Sequence, residues 1–319
     1  MPNNAMPNQT LYQQFCQQIP DLPVFAQPWY LDAVCEGGEW GAAVVQHGEQ
    51  LAAAMPWFLK RKGPFRYLAM PYFCKHLGPF LHPDFRELKF EHKFYEQLIG
   101  QLPAVHAVKQ EFHPSVSNWL PFYWQGYRQT TRYTYQLNLQ DGLDAVYKGF
   151  NRNVRRNLKK AGKELSIRWD MAPEDFYRIN LLPFERQGLP RPHSLEFFLR
   201  HDAALSQNNS RMIFCAEDGQ GRIHSAAYLI WDGRASYYHL SGDDPELRDS
   251  GAGLLLIWEA ICYTHDVLKL PVFDFEGSMM PNIEAIRRQF GARQAPYFRV
   301  WKYHSKAYQA LDWFLNRGG

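Results

Sequence analysis

The feature that most constrains this fold is a glycine-containing turn that leads from a strand-like segment into a strongly apolar helix. Arg248, Gly251 and Gly253 form the pattern Arg-x-x-Gly-x-Gly. Glycines there let the backbone approach a ligand closely, and the first N–H groups of a helix are unpaired donors that attract anions. Apolar residues follow at helical spacing: Leu254, Leu255, Ile257, Trp258 and Ile261. The turn therefore predicts an anion-binding site at the start of this helix.

Strand-like and helix-like segments surround the turn in a specific order. Strands alternate apolar and polar residues, whereas helices repeat apolar residues three or four positions apart. The predicted order is strands at 211–216, 223–231 and 235–240, the turn with its helix, a strand at 272–276, a helix at 283–290 and a strand at 297–303. Strands and helices interleaved in this way predict an α/β chain with mixed, α+β-type sheets.

The turn offers an anion donors from both the backbone and a side chain. The guanidinium of Arg248 presents a fork of N–H groups that matches a phosphate. A short glycine pattern alone is equally typical of a tight turn, so its position between a strand and a helix is what favours binding. The residues that we predict to bind a phosphate-bearing cosubstrate are Arg248, Ser250, Gly251, Ala252 and Gly253.

With this turn and this order of elements, the sequence resembles the GNAT acyltransferase superfamily. Members of that superfamily bind the pyrophosphate of acyl-CoA on an Arg/Gln-x-x-Gly-x-Gly/Ala loop at this place. The chain also resembles the Fem-like branch, which contains peptidoglycan-bridge aminoacyltransferases, at residues 150–161, 254–261, 273–278 and 288–292. The resemblance implies tandem GNAT-like units, acyl-CoA as the donor cosubstrate and an amine as the acceptor.

The resemblance permits a second function, in which aminoacyl-tRNA donates its acyl group to the amine of a cell-wall precursor. A third interpretation belongs to a different class: a catalytically silent module that keeps the fold and binds anions. The acceptor is accordingly a small-molecule amine or a cell-wall precursor, and tRNA is a candidate partner. The sequence specifies neither the acceptor nor the oligomeric state.

The length of 319 residues fits about two domains. An internal echo supports this division, because Gly-Tyr-Arg-Gln at 126–129 matches Gly-Ala-Arg-Gln at 291–294 and each precedes an alternating segment. We predict an N-terminal GNAT-like unit over 1–140, which binds the acceptor or is structural, and a catalytic GNAT-like unit over 141–319. Pro79 lies where the first unit would carry its turn, and proline has no N–H donor.

A basic amphipathic helix is predicted at the start of the second unit, over residues 141–163 with Asp141 as its N-cap. Its polar face carries cations without an interleaved acid: Lys148, Arg152, Arg155, Arg156, Lys159 and Lys163. A face of one sign suits a phosphorylated acceptor or RNA, although many charged helix faces are simply solvated. In the Fem-like family the equivalent helix lies near the pyrophosphate of the acceptor, which implies a binding role here for Arg152, Arg155 or Arg156.

Acyl transfer to an amine needs a group that accepts the proton and a donor that polarises the carbonyl. Glu276 and Asp274 are two positions apart on a predicted strand and so share one face. We predict Glu276, at the open end of the strand, as the general base, and Asp274 as a deeper structural residue. Tyr238 is predicted as an acid or oxyanion donor. The structural alternatives are a cap for Glu276 and groove lining for Tyr238.

Bulk properties exclude several other classes. Hydrophobic residues at 46% and charged residues at 21% describe a globular chain, and a net charge of +3 does not by itself indicate a nucleic-acid binder. The five cysteines have neither disulfide nor zinc spacing, so we predict no metal. No signal peptide and no run of about 18 apolar residues is found, which predicts a cytoplasmic protein whose contact with membranes is at most superficial. Residues 1–23 are predicted to be a loose tail.

Overall fold

The computed structural model describes residues 8–277 and 279–315, and the chain divides into two compact units. Unit 1 contains the described residues up to Arg132 and from Pro296 onward, and unit 2 spans Tyr133–Ala295. The predicted division into 1–140 and 141–319 differs from this one, because the residues after 295 return to unit 1. The roles predicted for the two halves stay predictions.

The described strands form the sheets of both units. In chain order they are β1 (Gly38–His47), β2 (Gln50–Lys62), β3 (Phe65–Ala69), β4 (Phe80–Leu81), β5 (Ala107–Glu111), β6 (Arg128–Asn138), β7 (Leu165–Trp169), β8 (Arg211–Asp218), β9 (Ile223–Trp231), β10 (Ala235–Asp243), β11 (Val272–Asp274) and β12 (Arg293–Tyr303).

Helices connect most of these strands. In chain order the described ones are α1 (Gln9–Gln18), α2 (Pro28–Val34), α3 (Leu88–Gly100), α4 (Leu120–Trp124), α5 (Leu143–Gly149), α6 (Arg152–Glu164), α7 (Pro173–Arg186), α8 (Leu195–Gln207), α9 (Ala252–Asp266), α10 (Pro281–Gln289) and α11 (Lys306–Leu315). None of the described helices is both long and apolar enough to cross a membrane.

Unit 1 is a sheet in the order β1-β2-β3-β5-β12, with β4 paired to β2. Strands β3 and β5 are parallel, and the other neighbours are antiparallel. Its core gathers apolar residues of the sheet and of α3, among them Met55, Phe94 and Phe112. The predicted loose tail was wrong where the structure describes it, because α1 buries Tyr12 and Phe15; residues 1–7 lie outside the described residues.

Unit 2 is a sheet in the order β6-β11-β10-β9-β8-β7, covered by helices on both faces. Along β9, Ala227 and Leu229 belong to the apolar cluster that contains α6 and α9, whereas Tyr228 between them contacts Phe176 of α7. Successive side chains of a strand point to opposite faces, so α9 and α7 lie on opposite sides of this sheet. The mixed α/β fold agrees with the prediction, and the bounds of β9 match the predicted strand at 223–231.

Each unit is completed by a strand from the other half of the sequence. In unit 1, β12 pairs antiparallel with β5, and in unit 2, β6 pairs antiparallel with β11. Both β5 and β11 have a parallel partner on their other side. The repeated pattern at 126–129 and 291–294 therefore marks two strands in corresponding positions, β6 and β12. Each of them completes the sheet of the unit that the other half of the sequence forms.

The predicted basic helix over 141–163 is two helices rather than one. Phe150 and Asn151 between α5 and α6 have extended backbones, and the Asn151 Oδ1 accepts a hydrogen bond of 2.8 Å from the Val154 N–H. The ring of Phe150 packs on Trp258 at 5.4 Å between centroids. The N-cap of α5 is Gly142, not Asp141. A capping side chain and a buried ring thus interrupt a continuous apolar face.

Gly242 marks the closest approach of α7 to β10, which gives a test of this packing. A Cβ at Gly242 would lie 2.4 Å from the backbone oxygen of Ile179. We expect Gly242→Ala to lower the free energy of unfolding by about 1–3 kcal/mol, because backbone must move to make room. Urea denaturation measures this. Gly219→Ala is the control, since no heavy atom lies within 4 Å of a Cβ there. Equal stabilities for the two variants would contradict the packing.

Candidate functional site

A cleft of about 390 Å³ lies in unit 2 at the N-terminal end of α9. Its described lining comes from α6, β10, the 3₁₀ turn Arg248–Ser250, α9 and α10. Four of the predicted site residues line it: Tyr238, Arg248, Gly251 and Gly253. The glycine turn identified in the sequence therefore forms part of the wall of a cavity.

The turn leaves two helix N–H groups without a described acceptor, on residues that line the cleft. Gly251 has a φ of 81°, a left-handed conformation that glycine adopts without strain. The Leu255 N–H bonds to the Gly251 carbonyl at 3.1 Å. The N–H groups of Gly253 and Leu254 have no acceptor among the described residues, and both residues line the cleft. These two N–H groups are the donors available to an anion.

Ser250 and Ala252 are placed differently from the other predicted binding residues. The Ser250 Oγ accepts a hydrogen bond of 3.3 Å from the Ala252 N–H, and Ala252 is 1% exposed in the apolar cluster. Neither is among the described residues that line the cleft. Ser250 thus binds the first N–H of α9, whose N-cap is Gly251, and Ala252 packs the start of the helix into the apolar cluster.

Acidic side chains lie beside the anion-binding donors, which sequence reasoning missed. The Asp243 Oδ1 accepts a hydrogen bond of 2.6 Å from the Ser225 Oγ and lies 3.1 Å from where a Cβ on Gly253 would be. Asp249 lines the cleft next to Arg248. A carboxylate at a helix N-terminus stabilises the helix and lowers the local positive potential. In the sequence, the only indication is that Asp243 ends the strand before the turn and that Asp249 lies within the turn.

Strands β10 and β11 part next to this cleft. They are parallel over three residue pairs, the last of which is Tyr237 with Asp274. Beyond it β11 ends, and β10 continues to Asp243 with an irregularity between Tyr238 and Leu240 in its pairing with β9. On the side of β11, no described strand pairs with this end of β10, and the Ser241 carbonyl accepts a hydrogen bond of 2.8 Å from the Asn180 Nδ2 of α7. A free strand edge can hydrogen-bond to an extended ligand.

Asp274 fixes the point where the strands part. Its side chain is 2% exposed and accepts hydrogen bonds from Thr134 Oγ1 at 2.5 Å, Gln136 Nε2 at 2.8 Å and the Glu276 N–H at 2.7 Å. Burial raises the pKa of Asp274 to about 6, against the lowering effect of these hydrogen bonds. Its donors come from β6 and from the following loop, so its position is structural.

Glu276 lies beyond the strand, so the predicted strand over 272–276 was too long at its end. β11 ends at Asp274, and Glu276 has a φ of 55°, outside the extended region. Its Oε1 instead lies 2.7 Å from the Nδ1 of His239 on β10, and its side chain is 12% exposed. Glu276 therefore bridges the two parting strands, although it is not among the described residues that line the cleft.

Tyr238 is the first residue of β10 after the last parallel pair. It is 5% exposed and lines the cleft. Burial, and then the charge of Asp243, raise the pKa of its hydroxyl. The phenol therefore stays protonated and can donate a hydrogen bond into the cleft.

The predicted acceptor arginines lie on α6, beside the cleft rather than in it. Arg152 and Arg156 are exposed, Arg155 is half-buried, and none of the three is among the described lining residues. Asn157 of the same helix does line the cleft, and Val154 turns inward to the apolar cluster. The basic face thus continues from one wall of the cleft to solvent.

Arg287 on α10 is a lining residue that the sequence did not single out. The centre of its guanidinium lies 5.1 Å from the ring centroid of Phe275 and 5.9 Å from that of Tyr238. Burial lowers its pKa. Within residues 8–277 and 279–315, no group of three metal-binding side chains is found.

Comparison with known proteins shows the fold. Residues 148–299 match the family model described as an acetyltransferase (GNAT) domain. The crystal structure of FemX is similar at a TM-score of 0.71 and 12% identity, over 91% of this chain and 95% of that one. A tandem GNAT protein from the clavulanic acid biosynthesis pathway has a TM-score of 0.52 and 12% identity, over 94% and 96%.

L-PGS from Bacillus licheniformis is a further similar structure, with a TM-score of 0.55 and 10% identity, over 99% of this chain and 96% of that one. No curated protein matches the chain in sequence. At such identities the likenesses concern the fold alone, and they confirm the predicted tandem GNAT-like, Fem-like architecture.

The titration of Asp274 gives a test of its structural position. Its pKa of about 6 lies above the ordinary value of 3.8, so the folded protein holds this proton more tightly than the unfolded chain does. The stabilising contribution is complete below about pH 4 and is lost as the pH rises through about 6. We expect Asp274→Asn to abolish this pH dependence in urea denaturation, and to be less stable because its single amide oxygen faces three donors. An unchanged slope would contradict the assignment.

Proposed function

We propose that this chain, which has the tandem GNAT fold of the Fem-like proteins, is an N-acyltransferase that moves an acyl group from acyl-CoA to an amine. The observation that carries the proposal is the meeting of two features at one cleft. One is the pair of N–H donors at the start of α9, and the other is the free edge of β10. Together they suit a ligand with an anionic end and an extended, amide-bearing arm.

The donor would lie along β10, with its ends fixed by the two features. Its diphosphate would meet the N–H groups of Gly253 and Leu254 and the side chain of Arg248. The arm would pair with the edge of β10, and the thioester would reach the opening beyond Tyr237 and Asp274. Asp243 and Asp249 offset part of the positive charge, so the backbone donors carry much of the binding.

Glu276 is placed to act on the amine at that opening. We assign it as the general base, because its carboxylate lies at the end of β11 and is held by His239 at 2.7 Å. The amine nitrogen bonds to the acyl carbon and passes its proton to Glu276. The carbon–sulfur bond then breaks, and the thiolate leaves and is protonated.

The basic face of α6 favours a second candidate function, with aminoacyl-tRNA as the donor and a cell-wall precursor as the acceptor. A nucleic acid or a diphosphate acceptor would match the uncompensated arginines Arg152, Arg155 and Arg156. Asn157 joins this face to the cleft. Binding of tRNA would show a steep dependence on salt, which CoA in a small cleft would not.

Calorimetry with CoA tests the donor site directly. We expect Arg248→Ala and Gly251→Val each to weaken CoA binding by about 10- to 100-fold, since a charge-assisted hydrogen bond contributes about 1.5–3 kcal/mol. Valine at Gly251 would strain a φ of 81° and so re-aim the N–H groups. Arg222→Ala, which removes an exposed arginine paired with Asp218, is the control.

Unchanged affinity in both variants would exclude this turn as the donor site. Binding of tRNA without binding of CoA would favour the second candidate. Anion binding by a wild-type protein that turns over neither donor would favour a catalytically silent module.

The general base has its own test. We expect Glu276→Gln to lower turnover by about 10²–10⁴-fold without changing the affinity for the donor, because the amide keeps the shape and loses the proton acceptor. Steady-state rates over a range of pH measure this. Glu217→Gln, which alters a carboxylate paired with Arg168 at 2.9 Å, is the control. Full activity of Glu276→Gln at every pH would show that another group accepts the proton.

A further inference from the structure

Arg287 is a half-buried cation that lines the cleft and has no partner among the described residues. No described residue accepts a hydrogen bond from its guanidinium or forms an ion pair with it, and its Nε is enclosed. Two aromatic rings, of Phe275 and Tyr238, cover it instead. Removing a charge from water without a hydrogen-bonding partner costs free energy. Such an arrangement is expected where a ligand supplies the partner.

The next residue shows that this burial is specific. Arg288 has a side chain that is 72% exposed and lies 3.4 Å from Glu284, one turn earlier on α10. The helix therefore directs one arginine to solvent with an acid beside it, and the other into the cleft without one. The two arginines form a natural pair of test and control.

The carboxylates near Arg287 are occupied by other groups. Asp274 accepts three hydrogen bonds, and Glu276 contacts His239. Both stabilise the charge of Arg287 only through space, and their effect is smaller than that of burial, which lowers its pKa. The N–H groups on the cleft side are thus left for a ligand.

The position of Arg287 along the cleft identifies which part of a ligand it would meet. Tyr238 follows the last parallel pair on β10, and Phe275 follows the end of β11. A guanidinium over both rings therefore lies at the opening between the strands. Arg248 and Gly253 belong to the other end of β10, at the start of α9.

We propose that Arg287 is a catalytic residue that stabilises the negative charge on the acyl carbonyl oxygen during transfer. The inference rests on the proposed function, in which the acyl group reaches this opening. When the amine nitrogen bonds to the carbonyl carbon, the C=O electron pair moves to oxygen, and the N–H groups of Arg287 donate to that oxyanion. The double bond re-forms as the carbon–sulfur bond breaks, and the electron pair leaves on sulfur.

Arginine suits this task for physical reasons. Its guanidinium stays charged, and two ring faces lie within 6 Å of its centre. A donor fixed before the reaction in a site that excludes water needs no reorganisation as charge develops. Oxyanion stabilisation acts in the transition state, so its loss lowers kcat more than donor affinity.

The test uses acetyl-CoA as donor and hydroxylamine as a small amine, with hydroxamate formation measured above the uncatalysed background. We expect Arg287→Ala to lower kcat by about 10²–10³-fold and to leave the Kd for acetyl-CoA unchanged. Guanidinium ion added in solution should restore part of the rate to Arg287→Ala alone. Arg288→Ala should behave as wild type in all three measurements.

Equal kcat values for the two alanine variants would overturn the inference, as would a weaker Kd at unchanged kcat. If thermal unfolding shows that Arg287→Ala does not fold, Arg287→Met takes its place. Methionine keeps an apolar stem without the charge or the N–H donors, so a kcat equal to wild type would again overturn the inference. Wild-type protein without turnover would overturn the proposed function as well, whereas turnover with indistinguishable variants would overturn this inference alone.

Discussion

Strands β10 and β11 stay hydrogen-bonded over three residue pairs and then part, and Asp274 stands at the point of separation. Its three hydrogen bonds hold the end of β11 to β6 and to the loop that follows. Gly277 then passes so close to β6 that a Cβ would meet the Tyr133 oxygen at 2.2 Å. Because the chain must turn away here, β10 is left with a free edge, and the cleft, Glu276 and Arg287 all take their positions from that opening.

The charges around the opening are stabilised in unequal ways. Asp274 is buried among hydrogen-bond donors, and Glu276 contacts one histidine. The guanidinium of Arg287 lies over aromatic rings and has no hydrogen-bond acceptor among the described residues. A carboxylate, that of Asp243, lies directly beside the donors at the start of α9. Carboxylates therefore offset part of the positive potential both at the strand opening and at the turn.

Sequence patterns predicted the elements better than the contacts between them. Alternation fixed the bounds of β9, and the glycine turn with its apolar helix located the cleft, because both depend on local spacing. The break at Phe150 was missed since the apolar face continues on both sides of it. Helical spacing alone does not tell which of Arg287 and Arg288 enters the cleft, because that depends on how α10 packs in three dimensions.

The exchange of β6 and β12 matters while the chain is being made. During synthesis on the ribosome, the residues of β5 (Ala107–Glu111) emerge long before residues 299–303, with which they pair. Until then β5 has one unpaired edge, and an exposed edge recruits strands from other chains. Such late, distant pairing slows folding and prolongs exposure. The topology therefore predicts sensitivity to C-terminal truncation, since a chain cut before residue 296 would lack the residues of β12 that pair with β5 in unit 1.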